Sequence, residues 1–221
     1  MILRRQLYMD GLRLSYLEHG SVVQGQSSVV LLHGLMGCAE TFVPLMEKLT
    51  HPRTGDPGLH IIALDLPGAG HSERRADINP GLDFTARQVA RVLTALGLDQ
   101  AVARPVVLGH SHGGAVALSL AACHRNLLRS LVLLAPAHPY FDEGDPLIRF
   151  YLSLPGRLFA YSMPWYPEWV QLFCLRRMAG RRSCDTRERL RPYRDNLRTP
   201  GTMSHLLRLL QSWKNDFSGL R

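Results

Sequence analysis

Apolar and polar residues along this chain follow two rhythms that take turns. Two-residue alternation runs through Arg4–Met9 and Leu12–Glu18 on either side of Asp10-Gly11, which predicts a hairpin closed by a favourable Asp-Gly turn. Short, nearly continuous apolar runs follow at Ser28–Leu32, His60–Leu64, Pro105–Leu108 and Ser130–Leu134. Runs of that length read as strands, and the valine-rich first one as a strand buried on both faces. Helical spacing predicts helices over Ala39–Leu49, Asp83–Leu96 and Gly113–His124. In the second of these Val89, Val92, Leu93 and Leu96 share one face, and Asp83-Phe84-Thr85 marks its start. Strands and helices in that alternation predict an α/β fold: a mostly parallel sheet with helices on both faces.

After Leu134 the character changes. Pro136, Pro139, Pro146, Pro155, Pro164 and Pro167 are expected to break the chain into short helical pieces. Thirteen of the 17 aromatic residues lie in 138–221, among them Phe150, Tyr151, Phe159, Tyr161, Trp165, Tyr166, Trp169 and Phe173. That density predicts a helical lid over residues 138–221, set on a core of residues 1–137. A second small helical domain packing its own core is the alternative, and the two are compatible. The chain has no internal repeats and no low-complexity tracts.

Composition narrows the class. With 221 residues, 46% hydrophobic and 20% charged, the chain is large enough for one sizeable core, which excludes a disordered tail, a fibre and a disulfide-stapled mini-protein. Pro105–His124, a long stretch free of Asp, Glu, Lys and Arg, contains three His and several Gly, so no membrane span is expected. No apolar segment follows the basic N-terminus, and nothing there marks export. Cys38, Cys123, Cys174 and Cys184 lack metal-like spacing and read as reduced thiols of a cytoplasmic protein. The net charge of +8 is unevenly spread: residues 1–137 carry 12 basic and 10 acidic side chains, residues 138–221 carry 14 and 8. Only two of the basic residues are lysine. That charge would suit a nucleic-acid reader, but no zinc knuckle, basic heptad or RNA-binding motif supports one, and no nucleic-acid partner is expected.

Three segments carry candidate chemistry. Leu108-Gly109-His110-Ser111-His112-Gly113-Gly114 is a G-x-S-x-G sequence with a predicted strand before it and a helix after it. Small residues two before and two after the serine allow a turn tight enough to project its hydroxyl above the sheet, and the helix start offers N–H groups to an oxyanion. Leu31-Leu32-His33-Gly34-Leu35-Met36-Gly37 ends an earlier strand. Gly34 lets the chain turn so that the amide of Leu35 faces that of His112, while His33 reads as a loop-supporting histidine. Asp65-Leu66-Pro67-Gly68-Ala69-Gly70-His71-Ser72 is glycine-rich but lacks the ending of a nucleotide-binding loop, and reads as a tight connection.

In this order and on these strands, the three motifs resemble the α/β-hydrolase family, in its capped branch of esterases, lipases, carbon–carbon bond hydrolases and cofactor-free haloperoxidases. The resemblance covers roughly residues 5–137, and the cap by position only. It implies Ser111 as nucleophile, the amides of Leu35 and His112 as oxyanion hole, and His33, Gly34, Gly109 and Gly113 as the residues that shape the loops. It implies no metal and no organic cofactor. A serine at the elbow, where haloalkane dehalogenases and epoxide hydrolases of this fold carry an aspartate, argues against those activities.

The family's acid and histidine normally follow two further strands beyond the cap, roughly 60 residues at about 30 per βα unit. This chain stops at Arg221 without them, so it reads as truncated, with impaired activity. His138, His205 and Asp142 are the remaining candidates for base and acid. A sheet ending at Ser130–Leu134 would expose an edge, and a homodimer or partner chain is expected to cover it. Two functions are carried forward. One is a serine hydrolase acting on an apolar ester or thioester through an acyl-Ser111 intermediate, with acyl transfer or perhydrolysis using the same residues. The other is a non-catalytic binding protein that retains the fold.

Overall fold

The computed structural model describes residues 1–23, 26–56, 58–138, 146–179 and 187–218; Pro139 and Cys184 lie outside them. Strands β1 (Ile2–Met9) and β2 (Leu12–His19) form the hairpin, with Asp10 and Gly11 both at positive φ in its turn. Strands β3 (Val29–Leu32), β4 (Ile61–Asp65), β5 (Val106–His110) and β6 (Ser130–Leu134) are mutually parallel. The order across the sheet is β1-β2-β4-β3-β5-β6, so an antiparallel hairpin closes one side of a parallel sheet.

The continuous apolar runs are explained by what each face meets. Along β3, Val30 and Leu32 point into one cluster and Leu31 into the other; along β4, Ile62 and Leu64 oppose Ile61 and Ala63 in the same way. The larger cluster packs under helices α2 (Leu82–Ala95) and α3 (His112–Cys123), and the smaller under α1 (Val43–Leu49). With both faces covered, alternation has no polar phase to show. The helix limits differ from the sequence expectation, α3 by one residue at each end. Ala39–Leu49 divides into a 3-10 turn, Ala39–Phe42, and α1 proper. Helix α2 begins at Leu82, one residue before Asp83; its first amide donates to Asp216 Oδ2 (3.3 Å), a cap that comes from the far end of the chain.

The C-terminal part forms α4 (Pro146–Leu152), α5 (Leu154–Ser162), α6 (Glu168–Ala179), α7 (Arg187–Arg198) and α8 (Thr202–Ser218). Several prolines start helices here instead of ending them: Pro146 opens α4, and Pro155 sits in the first turn of α5, where Ser153 accepts from the Gly156 amide. Pro192 stands inside α7. Leu172, Leu175, Leu190 and Leu197 make a small core between α6 and α7, whereas Leu209, Trp213 and Phe217 of α8 join the main cluster. The described C-terminal helices therefore pack partly on one another and partly on the main core. Among the described residues β6 pairs only with β5, and Val132 and Leu134 on it are exposed. No described helix is long and apolar enough to cross a membrane.

Candidate active site

Ser111 sits between β5 and α3 with φ 50° and ψ −116°, a backbone conformation few L-residues adopt. Neighbouring backbone holds it there. Its amide donates to Leu134 O (3.0 Å), and its carbonyl accepts from the amides of Gly114 and Ala137 (both 2.9 Å). The flanking glycines are required by close approach. A Cβ on Gly113 would stand 2.2 Å from the carbonyl oxygen of Leu32, and one on Gly109 2.4 Å from that of Gly113. The turn can form only because α3 rests directly on the end of β3.

The loop after β3 reaches the same place. A Cβ on Gly34 would lie 3.0 Å from both Ser111 Cβ and His110 Nδ1, so the loop borders the serine. Gly37 N–H donates to Gly34 O (3.1 Å), closing a tight turn with Met36 at φ 62°. Among the described residues, the amides of Leu35 and His112 donate to no group. The His112 amide heads α3, where the helix dipole is positive. Two undonated amides thus flank a strained serine, an arrangement suited to a developing oxyanion.

The histidines divide sharply. His33 Nε2 accepts from the Leu66 amide (3.1 Å), which fixes the tautomer and leaves Nδ1–H to donate to Gly34 O (2.9 Å). Both nitrogens are used in holding loops, and burial lowers its pKa. His112 is buried and stacks on Trp213, with ring centroids 6.0 Å apart. Burial first, then His33 and His205, pushes its pKa down to about 3. His205 is buried against Gly68, where a Cβ would come within 2.2 Å of its ring. Burial, then Arg208 and Arg74, lowers its pKa to about 4, and its Nδ1 has no partner. His110 is exposed beside the turn, and His138 follows it at half-exposure. Asp142 and the neighbouring Asp145 lie outside the described residues. Among the described residues no side chain hydrogen-bonds Ser111 Oγ, so none of these histidines is placed as its base.

Asn196 on α7 was not foreseen. It is buried, and its Nδ2 donates to Met36 O (2.9 Å) and Gly37 O (2.8 Å) while Oδ1 accepts from Gly70 N–H (2.9 Å) and Arg74 Nη2 (3.0 Å). One α7 side chain thereby ties the Gly34–Gly37 turn to the glycine-rich loop after β4. The signal present in the sequence was a polar residue on the stripe Leu190, Tyr193, Leu197, a position that otherwise calls for an apolar side chain. Beside it lies a cavity of about 20 Å³, lined in part by Gly34, Leu35, His112, Asn196 and His205. That volume holds about one water molecule. A wider groove of about 750 Å³ lies elsewhere, between α1 and α7.

Cys38, Glu40 and Asp65 bring ligand atoms within 4.8 Å of one another and are the described group with metal-like spacing. Their capacity is already used. Asp65 accepts from Arg4 Nη1 (2.8 Å) and from the amides of Ala39 (2.7 Å) and His71 (3.0 Å), Glu40 pairs with Arg4, and burial raises the Cys38 pKa. The cluster reads as an ion-pair anchor of the first strand.

The family described as alpha/beta hydrolase fold matches residues 27–169. A Caulobacter segnis protein provisionally named the carbamate hydrolase RutD is 34% identical over 126 residues, which span 57% of this chain and 43% of that protein. The uncharacterized hydrolase YugF of Bacillus subtilis is 30% identical over 151 residues, 68% of this chain and 50% of its own length. The chain thus spans about half the length of these curated relatives. A solved structure from Pseudomonas aeruginosa, provisionally named an epoxide hydrolase, superposes on 99% of this chain and 72% of its own with a TM-score of 0.75 at 20% identity, a likeness of fold.

Proposed function

The chain belongs to the α/β-hydrolase fold family, and on that premise we propose that it is a serine hydrolase of carboxylic esters or thioesters with apolar acyl groups. Ser111 Oγ would attack the acyl carbon, and the amides of Leu35 and His112 would receive the oxyanion as the carbonyl π bond opens. Collapse would expel the alcohol or thiol, which takes the proton removed from Ser111. Water would then release the acid and restore the hydroxyl. The observation that carries this reading is the strained serine at the head of α3 with two undonated amides beside it. The same chemistry serves carbamates, a class supported by the name of the Caulobacter segnis relative. A serine at the elbow, not an aspartate, weighs against epoxide opening. Free cysteines at positions 38, 123 and 174 support a reducing, cytoplasmic setting.

One observation favours a second reading. A serine hydroxyl needs a base within hydrogen-bond reach, and none of the described side chains supplies one. That arrangement supports retention of the fold for binding without turnover.

Labelling with a fluorophosphonate probe at pH 7 separates the two, with wild type beside Ser111→Ala. Labelling of wild type alone establishes an activated serine, and His138 and His205 are then substituted to find its base. A folded wild type that resists the probe supports the binding protein.

A further inference from the structure

The lid carries an apolar face that its own core does not need. Its interior is made by the leucines between α6 and α7 and by Phe159 and Tyr166, partly buried with ring centroids 5.7 Å apart. On the outside, Leu154, Leu158, Tyr161 and Trp165 recur at helical spacing along α5 and the 3-10 turn Met163–Trp165. Trp169 and Phe173 continue the stripe at four-residue intervals on α6. Trp165 is 80% exposed, Trp169 73% and Phe173 65%. Aromatic side chains of about 150–250 Å² each, exposed to that degree, leave roughly 300–550 Å² open, as much as the largest apolar patch of a typical monomer before the leucines are added.

This face is built on a fixed frame. Gln171 Nε2, buried beneath it, donates to the carbonyls of Met163 (3.0 Å), Pro164 (3.2 Å) and Tyr166 (2.9 Å), pinning the turn that presents Trp165. Its charge points to one kind of partner. Between residues 146 and 179 there are four arginines and one glutamate, and that glutamate is bound by Arg187 (2.8 Å) and Arg194 (2.7 Å). Arg149 is exposed. A second copy of the chain would bring this positive surface against itself. Tryptophan stripes with arginines beside them match the boundary between water and an anionic bilayer, where indole sits at headgroup level and guanidinium meets phosphate.

We propose that the α5–α6 face of the lid docks on an anionic lipid surface. The docking does not depend on the chemistry of Ser111. The test uses the full chain with phosphatidylcholine vesicles, with and without phosphatidylglycerol, in sedimentation and tryptophan-fluorescence measurements. Binding to phosphatidylglycerol vesicles is expected, with a blue shift in emission and weakening as salt is raised. The triple variant Trp165→Ser, Trp169→Ser, Phe173→Ser changes exposed positions only, so circular dichroism should stay unchanged while affinity falls about tenfold or more. Failure to bind either vesicle overturns the proposal, as does binding that the triple variant leaves intact. Equal affinity for neutral vesicles overturns it too, because the arginines would then select no anionic surface. Self-association without vesicles, abolished by the same variant, would assign the face to a second copy instead.

Discussion

Replacing Asn196 by alanine tests whether the lid and the Gly34–Gly37 turn are joined energetically. The substitution removes two donated and two accepted hydrogen bonds, all between 2.8 and 3.0 Å. Arg74 keeps Thr202 Oγ1 (2.8 Å) and Ser72 O (3.2 Å), so its loss is small. The carbonyls of Met36 and Gly37 and the amide of Gly70 lose the contact outright. At about 1 kcal/mol net for each bond, and more where a buried group is stranded, the cost comes to about 3–4 kcal/mol. With a urea dependence near the upper end of the usual range, about 2–3 kcal/mol per M, the unfolding midpoint falls by about 1–2 M. Hydrogen exchange provides the local reading: amides of residues 34–37 should exchange faster while those of the central strands do not. Arg191→Ala, one turn away on the same helix and 73% exposed, is the control and should stay within about 0.5 kcal/mol. A midpoint for Asn196→Ala no lower than that control would refute the reasoning, because water would then be replacing the amide at no cost.

Two further outcomes follow from the same geometry. His112 and His205, with pKa values lowered to about 3 and about 4 by burial, remain neutral in the folded chain while their unfolded counterparts bind protons below about pH 6.5. The unfolded state therefore takes up more protons as pH falls, and stability declines by about 1.4 kcal/mol per pH unit for each histidine between pH 6 and 4. Urea midpoints at pH 6 and 5 should fall in this direction, and His205→Gln should remove only its own share, because His33, also lowered by burial, keeps contributing; a flat profile contradicts the burial of the neutral rings. Gly113→Ala places a methyl 2.2 Å from Leu32 O and should cost about 1–3 kcal/mol, although glycine-to-alanine inside a helix ordinarily stabilises. A stabilised variant in thermal melts would show that α3 can lift from β3.

The parts of the molecule that depend on near neighbours were legible in the sequence. The hairpin turn, the four parallel strands and the serine between strand and helix follow from local chemistry: Asp-Gly, short apolar runs, and small residues two either side of Ser111. What escaped were contacts across long chain separations. Asn196 meets Met36, Trp213 meets His112 and Asp216 caps Leu82, and no periodicity states which distant element covers a given face. The prolines divide this segment into short helices as expected, and Pro155 shows how, standing in the first turn of α5 where its fixed φ starts a new piece.

The hydrogen bonds that hold Ser111 set an order of assembly. Its amide is fixed by Leu134 O at the end of β6 and its carbonyl by the amide of Ala137 beyond it. A chain emerging from the ribosome folds from its N-terminus, and β5 is complete at His110 before either partner has been made. Until β6 has paired with β5, the serine lacks the contacts that sustain its positive φ and is free to relax to an ordinary conformation. The nucleophile candidate thus acquires its geometry late in biosynthesis, after more than twenty further residues have been added, and nascent chains stalled earlier would carry the motif without the turn.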